Sequence, residues 1–331
     1  MPQSDSKVVQ VLRSYRTRMD GLDAQLMEDM GRRWLLIEQR LQAEINALAD
    51  EMARRVALGE TITQQMVWKS ERYQILKAQM EAEIVKFNRD AVTIISQAQE
   101  GAMQLGINAA QDALFMSYPS PLSAAFTRIN IGAVESFIGF AGDGSPLYTL
   151  LAADYAVAVN AIVDSMVANL AMGQSSAQIA RGIMEASGMG LDRAMLIART
   201  ESQRAYRLAS TEQYRQSGVT MGFMRLVKKD GACIACLMLD GERFESESDL
   251  DDHPNGRCTA VPIVEGVDAP AWEFGQDWFA NQTEDKQREI LGNTRFEMYQ
   301  NGTPLDAFAG KTHNDTWGDS PQAIPISTLK G

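Results

Sequence analysis

Apolar residues recur along the first part of the chain at Val8, Leu12, Tyr15, Met19, Leu22, Leu26, Met30, Trp34, Ile37, Leu41, Ile45, Leu48, Met52 and Val56. The mean step of about 3.7 residues exceeds the 3.5 of a left-handed coiled coil, so the stripe predicts one long, nearly straight helix. Gly59 stops it, and Thr61 or Thr63 caps a second helix carrying Trp68, Ile75, Met80, Ile84, Phe87 and Ile94 on one side. Together they predict an antiparallel helical hairpin, whose stripe is spent first on packing the hairpin against itself. Two helices alone bury one face each, so the hairpin also offers a surface for oligomer formation.

The pattern then breaks. Tyr118-Pro119-Ser120-Pro121 and Gly132, Gly139, Gly142 and Gly144 punctuate a loop-rich connection. Helices return, with ends at Gly173 and Gly188, a cap at Ser175 or Ser176, and a long helix over residues 191–216 closed by Gly218. Residues 219–227 (VTMGFMRLV) suit a strand, Lys228 to Gly231 a turn, and residues 259–264 (TAVPIV) a closing strand that Pro262 assigns to a sheet edge. Thr283 starts a helix, Gly292 stops it, and a last helix covers residues 293–300. From Gly310 onward the chain is polar and aperiodic, which predicts an extended or mobile tail.

The expected fold is therefore mainly α with a small α+β domain. It divides into a hairpin arm (1–115), a connection (116–149), a middle domain with a β-rich Cys/His unit (150–266), an aromatic and helical segment (267–309) and a tail (310–331).

Charge narrows the function classes. A net charge of -12 over 331 residues argues against general nucleic-acid binding, which needs a basic surface. The start of the chain has no apolar signal-peptide core, and the most apolar stretch, residues 150–172, is interrupted by Asp154, Asn160, Asp164 and Asn169. It predicts a buried helix and no membrane segment. Three cysteines make no paired disulfide framework, so the expected compartment is a reducing cytosol.

Those cysteines carry the candidate chemistry. Cys233-x2-Cys236 is followed by His253-x4-Cys258, which gathers all three cysteines and one of the two histidines. Zinc takes four such ligands in a tetrahedron, and a Cys3His site without an open position is structural. Three reduced thiols and an ordinary loop histidine are the other reading. A thioredoxin-type redox pair is disfavoured because no βαβ unit surrounds it.

Several fragments recur in a telling order. Ile197-Ala198-Arg199-Thr200-Glu201 precedes Arg204-Ala205, Cys-x-x-Cys, Leu239-Asp240-Gly241 and His253-Pro254-Asn255-x-Arg257-Cys258, with Trp278-Phe279 and Ile290-Leu291-Gly292 beyond. This succession resembles the head-morphogenesis (Mu F-like) family of phage minor head proteins. The resemblance implies a virion structural protein acting at the portal vertex, in the host cytoplasm during assembly and then in the phage head. It also implies the portal protein and other head proteins as partners, a bearing on DNA packaging or ejection, and no enzymatic activity. This chain departs from the family pattern at Gly256, where a cysteine is usual.

Two charged groups remain. Arg193, Arg199, Arg204, Arg207, Arg215, Lys228 and Lys229 form a local basic excess that could face packaged DNA or the portal, or be neutralised within the chain by pairs such as Glu201 with Arg204. Glu245, Glu247, Asp249, Asp251 and Asp252 read as a solvated acidic loop. The competing function is a zinc-containing DNA-binding protein or a metal-dependent nuclease. For the nuclease, His253 would have to be both ligand and base.

Overall fold

The computed structural model describes residues 4–117, 135–153, 155–172, 174–187 and 189–329. It is mainly helical with a small antiparallel sheet, as the pattern predicts. Of the expected loop-rich connection, residues 118–134 lie outside the described set, as do the glycines at 173 and 188.

Helix α1 (Lys7–Ala57) carries the long stripe, and Gly59 at φ 88° ends it in the left-handed conformation that glycine adopts without strain. Thr63 caps α2 (Gln64–Lys69), accepting from the Met66 amide. The second long helix is not continuous from there. Ser70 leaves helical geometry at ψ 139°, its hydroxyl accepts from the Tyr73 amide, and α3 (Glu71–Ser117) starts afresh. That restart shifts the buried face to Tyr73, Leu76, Met80, Ile84, Phe87, Ala91 and Ile95, leaving Trp68 and Ile75 exposed. A reading that skips alanines misses this phase.

The chain forms two units that cut across the sequential division. One comprises residues 24–96 and 145–198. In it α1 and α3 pack antiparallel, with Trp34 edge-on to Phe87 and Arg40 paired with Glu83. Helices α4 (Leu147–Ala152), α5 (Tyr155–Ala171) and α6 (Ser176–Ser187) complete it. Ser175 and Gln178 cap α6 reciprocally, the Gln178 amide bonding the Ser175 hydroxyl and the Ser175 amide bonding Gln178 Oε1. Among the described residues no helix is long and apolar enough to cross a membrane.

The other unit comprises residues 1–23, 97–144 and 199–331. Helix α7 (Met189–Ser217) supplies its long central element, and at Gly106 of α3 an added Cβ would lie 2.3 Å from the Tyr206 carbonyl, so only glycine permits this approach. Strands β1 (Thr220–Leu226), β2 (Arg243–Glu245) and β3 (Thr259–Val264) form an antiparallel sheet in the order β2-β1-β3. Pro262 thus sits on an edge strand, as its missing N–H requires. Between β1 and β2 lies the short α8 (Ile234–Met238). Then follow α9 (Gly275–Ala280) and α10 (Glu284–Gln300), the latter interrupted at Gly292 with φ 71°.

The expected mobile tail is instead ordered. Strands β4 (Ala309–Asn314) and β5 (Gly318–Ala323) pair as a hairpin, and α11 (Ile326–Leu329) follows. Its anchors are tertiary: Trp317 Nε1 donates to the buried Glu201 at 2.9 Å, and Lys311 pairs with Glu242 and Asp251.

Candidate metal centre

The turn after β1 carries Gly231 at φ 75° and delivers Cys233 to the start of α8, where its sulfur accepts from the Cys236 amide at 3.5 Å. The C-terminal end of α8 is pinned by Asp240, whose Oδ1 accepts from the Val227 amide and from Trp272 Nε1. Burial pushes the Asp240 carboxyl up to about 6, and its Oδ2 has no partner. Leu239-Asp240-Gly241 is therefore a structural clasp between the end of β1 and the aromatic cluster.

The opposite side of the centre is the loop from Asp251 to Cys258, held by three arginines. Arg225, fully buried on β1, bonds the Asp251 carbonyl and carboxylate. Arg207 on α7 donates to Asp252 and to the Gly256 carbonyl, both at 3.3 Å. Arg199 reaches Asn255 Oδ1, and the Asn255 amide donates to Thr200 Oγ1. Asn255 adopts φ 62°, a left-handed turn that asparagine tolerates better than most residues.

These elements bring His253 onto the cysteines. Its Nε2 lies 3.1 Å from Cys236 Sγ and 3.8 Å from Cys233 Sγ. A tetrahedral zinc with ordinary bond lengths would separate sulfur and nitrogen ligands by about 3.6 Å, between those two values. His253 Nδ1 lies 2.8 Å from the Pro254 carbonyl, the contact that fixes a ligating tautomer with Nε2 free for metal. Cys236 also belongs to a second close group with Asp252 and Cys258. Cys233, Cys236, His253 and Cys258 could thus hold a metal ion, and Asp252 adds a fifth donor beside them.

The electrostatics suit ligation. Hydrogen bonding from Cys236, and then from His253, pulls the Cys233 thiol well below its ordinary range. The same partnership with Cys233 raises Cys236, and the hydrogen bond to Cys233 raises His253 to about 9. Depressed and raised groups packed this closely are the setting in which a metal would displace protons from the thiols and the imidazole.

Asp252 corrects the reading of the acidic run. Glu247 and Asp249 are largely exposed, with side chains 81% and 77% accessible, but the Asp252 side chain is 0% exposed and paired with Arg207. Its carboxylate accepts from the amides of His253 at 3.0 Å and Cys258 at 3.1 Å. It also explains Gly256: a Cβ there would lie 2.0 Å from the Asp252 carboxyl carbon. Where a side chain at 256 would sit, this chain has the carboxylate. The adjacency of Asp252 to His253 was the available signal, and neighbouring exposed acids obscured it.

The basic residues are mostly engaged internally. Arg204 pairs with Glu201 at 2.7 Å, Arg215 with Glu212 and Glu247, Lys228 with Asp20 and Lys229 with Glu273. Arg207 is buried, Arg199 serves the Asn255 turn, and Arg193 also has a partner. The second histidine, His313, lies on β4 beside Asp319, away from this cluster in the contacts it makes. The chain matches no family model, no curated protein and no solved structure in the comparisons made.

Proposed function

We propose that this chain is a minor head protein of a tailed bacteriophage, of the Mu F-like head-morphogenesis type, with a zinc-stapled structural domain. The observation that carries the reading is spatial: the fragments whose order suggested the family are one interlocked set. Arg199 and Thr200 bond Asn255, His253 meets Cys233 and Cys236, and Asp240 closes the helix that bears Cys236. Motifs selected together because they build one small domain would be expected to touch in this way.

In this role Cys233, Cys236, His253 and Cys258 ligate zinc and pin the 251–258 loop to α8 at the margin of the core that the sheet shares with α1, α3 and α7. The metal adds folding free energy to the loop, and no catalytic step is assigned to it. The partners are the portal protein and other head proteins in the host cytoplasm, and then the virion. Exposed apolar residues of α1 and α3, among them Leu35, Leu36 and Ile75, support contact with another copy or a head protein. One zinc per chain is expected on the purified protein, lost in Cys233→Ser together with thermal stability, and the protein should co-purify with portal assemblies. Metal-free, fully stable protein would remove the staple, and absence from purified procapsids would remove the family role.

A second reading, a metal-dependent nuclease, draws on a cavity of about 320 Å³ lined by Cys236, His253 and Cys258 with Lys228 and Arg257. Sustained DNA cleavage lost in His253→Ala, with the fold intact, would favour it.

A further inference from the structure

A neighbouring cavity of about 170 Å³ lies between α1 and strands β1 and β3, lined by Arg16, Asp20, Lys228, Arg257 and Thr259 among others, and it shares Lys228 and Arg257 with the one beside the Cys/His cluster. Its charge is unusual for a protein of net charge -12. Arg13 also lines it, so four cations face one carboxylate. Asp20 is spent on Arg16 at 3.1 Å and Lys228 at 2.6 Å, and Arg13 on Asp5. Arg257 makes no hydrogen bond or ion pair among the described residues, and feels Asp20 and Asp23 only as more distant charges.

Two further groups point to something missing. Thr259 is 1% exposed, and the one polar group its Oγ1 meets is the equally buried Tyr206 hydroxyl. Arg16 is 6% exposed and its Nε is unpartnered. Buried polar groups are rarely left so, because each forfeits its hydration without compensation. Here a hydroxyl and a guanidinium N–H line the same cavity as an unpaired arginine and a lysine. Several donors on different walls suit a tetrahedral oxyanion, whose oxygens can accept from all of them, better than a planar carboxylate.

We propose that this cavity binds a phosphate dianion, free or as a monoester, through Arg257, Lys228, Arg16 and the Thr259 hydroxyl. At about 30 Å³ per water, its volume has room for one such group and a few waters, and not for a nucleic-acid duplex. The site adjoins the Cys/His centre, with Lys228 and Arg257 lining both cavities, but uses none of its candidate ligands and does not depend on the head-protein reading. It ties the start of α1 to the strand that follows Cys258, so occupancy would stabilise the fold by mass action.

The test is calorimetric titration of the full chain as purified with inorganic phosphate and, separately, phenyl phosphate, in phosphate-free chloride buffer. Saturable one-site binding is expected, with a raised melting midpoint. Arg257→Gln should weaken it about tenfold or more, because it removes a charge-assisted bond, and Thr259→Val about three- to tenfold. Arg257 has no internal partner to lose, so the melting midpoint of Arg257→Gln without phosphate should match the parent, and Thr259→Val gives up only its contact with the Tyr206 hydroxyl. Should Arg257→Gln fail to fold, Thr259→Val reads the same loss. The probe that binds more tightly identifies the source as free phosphate or monoester. No saturable binding of either probe, or binding indifferent to the folded variants, would overturn the proposal.

Discussion

Replacing Arg207 with methionine tests how the centre is built. Arg207 is 8% exposed at its side chain and Asp252 0%, so the substitution leaves a carboxylate in a site stripped of water. Removing one partner of a buried ion pair costs about 3–5 kcal/mol, against near neutrality when both are replaced together. Asp252 would keep two amide donors, from His253 and Cys258, which places the expected cost near the low end, about 3 kcal/mol. The Gly256 carbonyl would also lose its donor. Those same amides belong to the chain segment bearing two candidate ligands, so the loop should loosen and zinc affinity fall about 10–100-fold. Urea unfolding of zinc-saturated protein measures the first effect and competition with a chromophoric chelator the second. A double-mutant cycle with Asp252→Asn should give a coupling of about 1–3 kcal/mol. A cost under about 1 kcal/mol, or strict additivity, would refute the claim that this pair holds the metal loop.

Asp240 gives a pH prediction. Its folded pKa of about 6 lies above the ordinary 3.8, so between those values the folded chain retains a proton that the unfolded chain has released. Stability present below pH 4 is therefore lost as pH rises toward 6, by up to about 3 kcal/mol. Asp240→Asn should gain stability relative to the parent over that window, and a pH-independent difference in unfolding free energy would contradict the assignment. Gly256→Ala should cost about 1–3 kcal/mol through collision with the Asp252 carboxylate and also weaken metal retention. Melting curves matching the parent with metal bound would show that the carboxylate moves aside cheaply.

The sequence by itself determined the local elements and the candidate ligand set. The step of about 3.7 residues fixed α1 because nearly every turn had to bury an apolar residue, and Gly59, Gly218 and Gly292 marked ends where a left-handed backbone is required. Pro262 assigned β3 to an edge for want of an N–H. The candidate ligands were legible because cysteine and histidine are scarce in this chain and closely spaced. Tertiary structure alone decided the rest. The C-terminal hairpin has no alternating pattern, since it is held by Trp317 on Glu201 and Lys311 on two acids, contacts that connect distant positions. The phase of α3 was set by a serine that restarts the helix. Asp252 looked like its solvated neighbours until the fold placed Arg207 beside it. Periodicity records which face of an element is buried, whereas a charge declares its role only when the partner, 45 residues away in the chain, is brought within 3.3 Å.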